Sequence, residues 1–107
     1  MTEMEKLIWL YCGKAQRHEK YITAFDVWNM LNDEFGEYSP EYAPSEEQVN
    51  CTIDEFVRKG YITTDDRGYC RVITKSQTKL RELFELGCLT IDKDKKYHWC
   101  DPMECDE

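Results

Sequence analysis

The chain has 107 residues, with 14 basic and 22 acidic side chains, a net charge of −8 and six cysteines. This length supports a single domain and excludes a multi-domain enzyme or a large cofactor fold. Apolar residues make up 41% of the chain, which is enough for a packed core, but runs such as LIWLYC are too short to cross a membrane. The acidic balance disfavours indiscriminate adhesion to nucleic acid or membranes, because an acidic surface repels phosphate.

The first residues, MTEMEKLIW, show none of the features of an export signal, which has a basic start, a long apolar stretch and a small-residue cleavage site. We therefore expect a cytoplasmic protein in a reducing compartment. Its cysteines are then expected to be thiols or metal ligands rather than disulfides.

Two amphipathic helices are predicted in the first third of the chain. Apolar residues recur at helical spacing over residues 3–18 and predict the first helix. Thr23 and Asp26 have the spacing of a capping box, which predicts the start of a second helix. Gly36 is expected to end that helix.

A loop and a third helix follow. Residues 36–44, GEYSPEYAP, contain two prolines and a glycine and predict a loop longer than the usual helix-to-helix connection. Ser45 with Gln48 forms another capping box, and Gly60 stands where a helix-ending glycine belongs. A third helix is therefore expected between Ser45 and Gly60.

Two β-hairpins and a fourth helix are predicted in the rest of the chain. Residues 61–74 place β-branched and aromatic residues on both sides of the turn-forming DDRG, which indicates a hairpin. Thr74 with Gln77 predicts the cap of a fourth helix that Gly87 ends. Apolar and polar residues alternate on both sides of a polar turn near Asp94, which predicts a second hairpin. Its expected cross-strand pairs are Leu89 with Trp99, Thr90 with His98, Ile91 with Tyr97, and Cys88 with Cys100.

The order of three helices, a hairpin and a further helix resembles the winged-helix family, and the most specific stretch is VNCTIDEFVRKGYITTDDRGYCRVIT. The resemblance covers residues 3–86. It implies an α+β fold in which a three-helix core carries a β-hairpin wing and a fourth helix, followed here by a C-terminal β-hairpin. We expect a winged-helix-like domain over residues 1–87, with residues 88–107 packed on it as a hairpin extension and acidic tail.

The resemblance implies a DNA-binding transcription regulator as one possible function. Helix-turn-helix domains commonly insert the third helix into the DNA major groove and place the wing beside the backbone. DNA would then be bound through Asn50, Arg58, Arg67 and Arg71. A homodimer is expected in that case, because one short module reads few base pairs.

The charge distribution favours a protein partner instead. Residues 21–60 hold two basic and nine acidic side chains, a net charge of −7 in the part that a DNA-binding winged helix presents to phosphate. Carboxylates cannot neutralise phosphate, which supplies most of the affinity for DNA. The expected protein contacts are carboxylates and tyrosines of the loop and the third helix, namely Glu37, Tyr38, Glu41, Tyr42, Glu46, Glu47, Asp54 and Glu55.

A row of carboxylates with tyrosines can imitate the phosphates of a nucleic-acid strand. Such a protein could block the basic site of a nucleic-acid-binding partner, a device that some anti-CRISPR inhibitors use. Tyrosines on a stiffened loop are good contact anchors because they lose little rotamer entropy. The alternative is that Tyr38 and Tyr42 fold down onto the second and third helices.

Four residues suited to binding zinc lie close together near the C-terminal end: Cys88, His98, Cys100 and Cys105. Thiolates and an imidazole are ligands of tetrahedral zinc. The spacing lacks the close cysteine pair that is typical of zinc sites. Unligated thiols are therefore favoured, with zinc or a cross-hairpin disulfide as the alternatives.

The sequence offers no pattern that indicates an enzyme. It contains two histidines, no glycine-rich phosphate loop, no nucleophile in a recognised turn and no HExxH helix. Acid pairs such as Asp65 with Asp66 are explained as turn residues. We therefore expect a non-enzymatic binding protein without a cofactor.

Overall fold

Four helices and two antiparallel hairpins make up an α+β structure. The structure is a computed structural model, and it describes residues 1–18, 22–35, 44–68 and 70–99. The predicted loop of residues 36–44 lies outside this description except for Pro44, which is buried. None of the helices in the described ranges has the length and apolar character that crossing a membrane requires.

The first three helices pack against one another, as the predicted pattern of apolar residues requires. They are α1 (Glu3–His18), α2 (Ala24–Phe35) and α3 (Glu46–Arg58), so all three predicted helices are confirmed. Ile8, Leu31 and Ile53 are buried, one on each helix. The apolar stripe of each helix is therefore the face that meets the other two.

The caps of α2 and α3 are the predicted ones. Asp26 N–H donates to Thr23 Oγ1 at 3.1 Å, and Thr23 N–H donates to Asp26 Oδ2 at 3.2 Å. Ser45 Oγ accepts from Gln48 N–H at 3.1 Å. These bonds satisfy N–H groups that the first turn of a helix leaves without intrahelical partners.

The two hairpins are separate two-stranded sheets. β1 (Ile62–Thr64) pairs with β2 (Arg71–Ile73), and β3 (Leu89–Ile91) pairs with β4 (Tyr97–Trp99). The register of the second hairpin places Leu89 opposite Trp99, Thr90 opposite His98 and Ile91 opposite Tyr97, which confirms these three predicted pairs. The fourth predicted pair involves Cys100, which lies outside the described residues.

The fourth helix, α4 (Gln77–Glu85), begins differently from the prediction. Its N-cap is Ser76, whose side chain makes no capping hydrogen bond. The prediction that Thr74 caps this helix is wrong, because Thr74 Oγ1 accepts instead from Ser76 N–H, outside the helix, at 3.2 Å. Gly87 follows the helix with a φ of 81°, as expected for a helix-ending glycine.

Trp9 joins the helices to the second hairpin. Its buried ring meets Phe56 edge-on at 5.4 Å and Trp99 at 4.0 Å between ring centroids. Its Nε1 donates to the carbonyl oxygen of Cys88 at 2.7 Å, so the start of β3 is fixed to α1. Phe84 of α4 is 42% exposed, and its ring centroid lies 6.1 Å from that of Tyr97.

Candidate functional site

The outer face of α3 is positioned by the opposite, apolar face of the same helix. Val49, Ile53 and Phe56 are buried at successive turns and hold the helix against its neighbours. Because residues at this spacing share one side of a helix, the remaining positions face away from the core. The exposed side chains of α3 are Glu46, Glu47, Gln48, Asn50, Cys51, Asp54 and Arg58.

The exposed face of α3 contains half of the residues predicted to bind a protein. Glu46 and Glu47 lie exposed in the first turn, and neither makes an ion pair with a described residue. Asp54 is exposed as well, whereas Glu55 is half-buried. The helix as a whole contains four acidic side chains and one basic side chain. We call Glu46, Glu47, Asp54 and Glu55 the acidic face.

The acidic face binds the two arginines nearest to it. Arg58 Nη2 donates to both carboxylate oxygens of Glu55, one turn earlier on α3. Arg71 reaches across from β2 and donates to Asp54 Oδ1 at 3.4 Å, with only 14% of its side chain exposed. The Arg58 guanidinium also holds the pKa of Glu55 below its ordinary value. Both arginines are therefore occupied by carboxylates of the same surface.

These pairs bring together residues that the two sequence hypotheses had assigned to different functions. The sequence predicts that Arg58 and Arg71 bind DNA in one hypothesis, and that Asp54 and Glu55 bind a protein in the other. The other two predicted DNA contacts are Asn50, exposed on α3, and Arg67, exposed in the turn of the first hairpin. Asn50 is neutral, and the one basic side chain of α3, Arg58, already lies beside a carboxylate. The helix therefore offers little positive charge to DNA phosphate.

A groove of about 470 Å³ runs between the start of α1 and the acidic face. Glu5 lines it from α1, while Gln48, Cys51 and Glu55 line it from α3. Lys59 is the one cation among its described lining residues. The contribution of α1 was not predicted, because nothing in the local pattern of a helix indicates which distant segment lies beside it.

A second feature missed by the sequence analysis is an exposed aromatic pair on α2. Phe25 is 53% exposed, and its ring centroid lies 5.8 Å from that of the half-buried Trp28. The spacing of three residues places both rings on one side of the helix. Exposed aromatic rings of this kind are frequent contact points at protein interfaces.

Four predicted protein contacts, Glu37, Tyr38, Glu41 and Tyr42, lie outside the described residues. They belong to the segment that joins the end of α2 to the start of α3. Their part in binding, and the alternative that the tyrosines fold down onto these helices, stay predictions.

The structure describes two of the four predicted zinc ligands, Cys88 and His98. Cys88 is buried, carries a free thiol and lies with its Sγ 3.5 Å from Met1 Sδ. His98 is exposed, and its Nε2 lies 2.6 Å from Asp92 Oδ2. Cys100 and Cys105 lie outside the described residues. Within the described residues, no group of three or more histidine, cysteine, aspartate or glutamate side chains could hold a metal ion. Zinc stays a prediction that rests on the sequence.

The buried thiols of Cys12 and Cys88 are poorly suited to nucleophilic chemistry. Burial raises the pKa of Cys12 to about 12 and also raises that of Cys88. A nucleophilic cysteine needs a lowered pKa, because the thiolate is the reactive form. Both thiols are therefore packing residues.

Comparison with protein families, with curated proteins and with solved structures finds no match for this chain.

Proposed function

We propose that this chain is a non-enzymatic, winged-helix-like protein that binds a basic protein partner through the acidic face of α3. The observation that carries the proposal is the pairing of Arg58 with Glu55 and of Arg71 with Asp54. Arg58 of α3 and Arg71 of β2 each lie beside a carboxylate of α3, whereas Glu46 and Glu47 are exposed and make no ion pair with a described residue.

The electrostatic consequence is a surface that attracts cations. Exposed carboxylates without internal partners favour lysine and arginine side chains on another protein, and complementary charge raises both the association rate and the specificity. The same surface repels DNA, because phosphate binding depends on neutralisation by cations. The groove beside α3 adds Glu5 to this surface and gives it depth.

A basic site that normally holds nucleic acid is the partner surface that fits best. The carboxylates of the acidic face would take the places of backbone phosphates in that site. The protein would then act as an inhibitor of the DNA-mimic type, as proteins of the anti-CRISPR kind do. Glu37, Tyr38, Glu41 and Tyr42 precede α3 in the chain and are expected to extend the contact.

The test is affinity capture from nuclease-treated host extract with matched variants. Glu46→Gln with Glu47→Gln removes two charges from the acidic face. Glu82→Gln with Glu85→Gln removes two charges from exposed positions of α4, where both glutamates are in surface ion pairs that contribute little stability. We expect a basic, nucleic-acid-binding protein to be retained by the natural protein and the α4 variant, and lost with the α3 variant.

A captured partner is then tested for function. Addition of the natural protein should prevent that partner from binding its nucleic acid, and the α3 variant should not. Tight binding of random duplex DNA by the natural protein at about 0.15 M salt would overturn the proposal in favour of the transcription-regulator alternative. Equal losses with both double variants would also overturn it, since a general charge effect does not depend on position.

A further inference from the structure

A second charged surface, which contains no residue of the acidic face, lies where the start of α4 meets the turn of the second hairpin. A groove of about 260 Å³ opens there. Three lysines line it, one before α4 and two in the hairpin turn: Lys75, Lys95 and Lys96. None of the described residues that line it is acidic. We call this cavity the lysine groove.

The three lysines differ from two basic residues of α4 that are each in an ion pair. Lys79 pairs with Glu82, and Arg81 pairs with Glu85. Within the described residues, none of the three groove lysines makes an ion pair. In a protein with a net charge of −8, three exposed ammonium groups around one cavity form a local surface that attracts anions.

The hairpin turn holds two of these lysines in place. Asp92 Oδ1 accepts from the backbone N–H groups of Asp94 and Lys96, both at 2.9 Å. Lys95 has a φ of 62° and is the only described non-glycine residue with a positive φ. Glycine or asparagine is favoured at such a position, so a lysine side chain is kept there against the backbone preference.

The floor of the lysine groove also offers hydrogen-bond donors. Thr74 lines the groove and is only 6% exposed. Its Oγ1 accepts from Ser76 N–H, and its own hydroxyl proton has no acceptor among the described residues. The Ser76 side chain makes no capping bond, so the first N–H groups of α4 also lack a side-chain acceptor. An oxyanion in the groove can accept from these donors.

The remaining lining residues are apolar or aromatic. Ile73 and Leu80 form part of the wall, and the half-buried ring of Tyr97 lies beside them. The cavity is close to the lower end of the range for small-molecule sites, roughly 300 Å³. It has room for one anionic group and a small planar ring. It lacks the row of cations that binds the backbone of a single-stranded nucleic acid.

We propose that the lysine groove binds a small organic phosphate of nucleotide size. The lysines and the Thr74 hydroxyl hold the phosphate, because ammonium groups and uncapped helix N–H groups both favour a multiply charged oxyanion. Tyr97, Ile73 and Leu80 contact the apolar part of the ligand. The lysine groove shares no residue with the acidic face. Ligand binding in the groove can therefore be tested independently of the proposed function.

The test is calorimetric titration of the full chain with adenosine monophosphate, with adenosine and inorganic phosphate as comparison ligands. We expect adenosine monophosphate to bind more tightly than either comparison ligand. Lys96→Gln should weaken its binding about tenfold, the loss typical of one charge-assisted contact. Lys93→Gln is the matched control, because Lys93 is exposed in the same turn but does not line the groove. It should change the affinity by less than about twofold.

A second variant separates binding from folding. Lys95→Gly supplies the residue that the positive φ favours, so its melting temperature should equal or exceed that of the natural protein while its affinity falls about tenfold. No detectable binding at millimolar adenosine monophosphate would overturn the proposal. Equal effects of Lys93→Gln and Lys96→Gln would overturn it too. An oligonucleotide that binds more tightly than the monophosphate would replace it with a nucleic-acid surface.

Discussion

At the scale of single residues, Gly13 in α1 is the described glycine whose hydrogen atom faces the tightest space. A Cβ atom added there would lie 2.7 Å from Cβ of Trp99 and 2.8 Å from its Cγ. The Trp99 ring has little room to retreat, because it stacks on Trp9 and its Nε1 donates to Gln16 Oε1 at 2.6 Å. Glycine is needed at this position so that β4 can pack directly on the helix.

We therefore expect Gly13→Ala to lower the free energy of unfolding by about 1–2 kcal/mol. Because the added atom would lie within 2.9 Å of three Trp99 atoms, we expect the upper part of the overpacking cost, roughly 2–3 kcal/mol, and the better helix propensity of alanine returns about 1 kcal/mol. Urea unfolding measures the difference. Asn29→Ala, at an exposed position of α2, is the control and should change stability by no more than about 0.5 kcal/mol. A Gly13→Ala variant as stable as the natural protein would contradict the observed packing.

At the scale of elements, the starts of α3 and α4 provide a direct comparison of two serine caps. Ser45 Oγ accepts from Gln48 N–H, whereas the Ser76 side chain makes no capping bond. Both residues are exposed and both precede an amphipathic helix. The difference between them is therefore the hydrogen bond.

Ser45→Ala should lower the free energy of unfolding by about 1 kcal/mol, the usual loss for an N-cap hydrogen bond. Ser76→Ala should change it by less than about 0.5 kcal/mol, because no such bond is lost. Urea or thermal unfolding of the two variants measures the contrast. If both substitutions have the same effect, the assigned difference between the caps is wrong.

The elements themselves were largely predictable because their signals are local. The Thr23–Asp26 and Ser45–Gln48 boxes each act across three residues, and both form as predicted. The register of the second hairpin follows from alternation within the hairpin. The start of α4 was not predicted correctly, since Thr74 and Ser76 are both plausible caps and only the backbone path between β2 and α4 selects Ser76.

At the scale of the whole molecule, two carboxylates join elements and make stability depend on pH. Glu34 on α2 accepts from Lys14 at 2.7 Å and from the Tyr11 hydroxyl at 2.5 Å, both on α1. These hydrogen bonds hold the pKa of Glu34 below its ordinary value, and the bond from Lys14 has the largest effect. The backbone N–H of Lys96, followed by His98, lowers the pKa of Asp92 in the second hairpin.

A carboxyl group whose pKa is lowered by folding stabilises the protein when it is ionised. Its contribution is therefore present above the ordinary carboxyl pKa, about 4, and is lost as the pH falls through the lowered value of the folded state. We expect the free energy of unfolding to decrease as the pH falls below about 4. In Glu34→Gln, urea titrations across this range should show a smaller decrease. An unchanged pH dependence in that variant would contradict the role of Glu34.

Charge also divides the molecule into two parts. The helix α3 contains four acidic side chains and one basic one, whereas residues 61–99 contain eight basic and six acidic side chains. The acidic face and the lysine groove lie on these two parts. A single net charge therefore conceals two surfaces that favour opposite ligands.

The sequence alone determined the α+β character, the extent of the first three helices, the register of the second hairpin and the acidity of α3. These properties depend on side-chain spacing within a few residues of one another, which a sequence displays directly. Only the tertiary structure decided that Arg71 pairs with Asp54, that Trp99 packs on Gly13, and that lysines from two segments line one groove. Such contacts join segments far apart in the chain, and they depend on how the helices and hairpins pack, which no local pattern encodes.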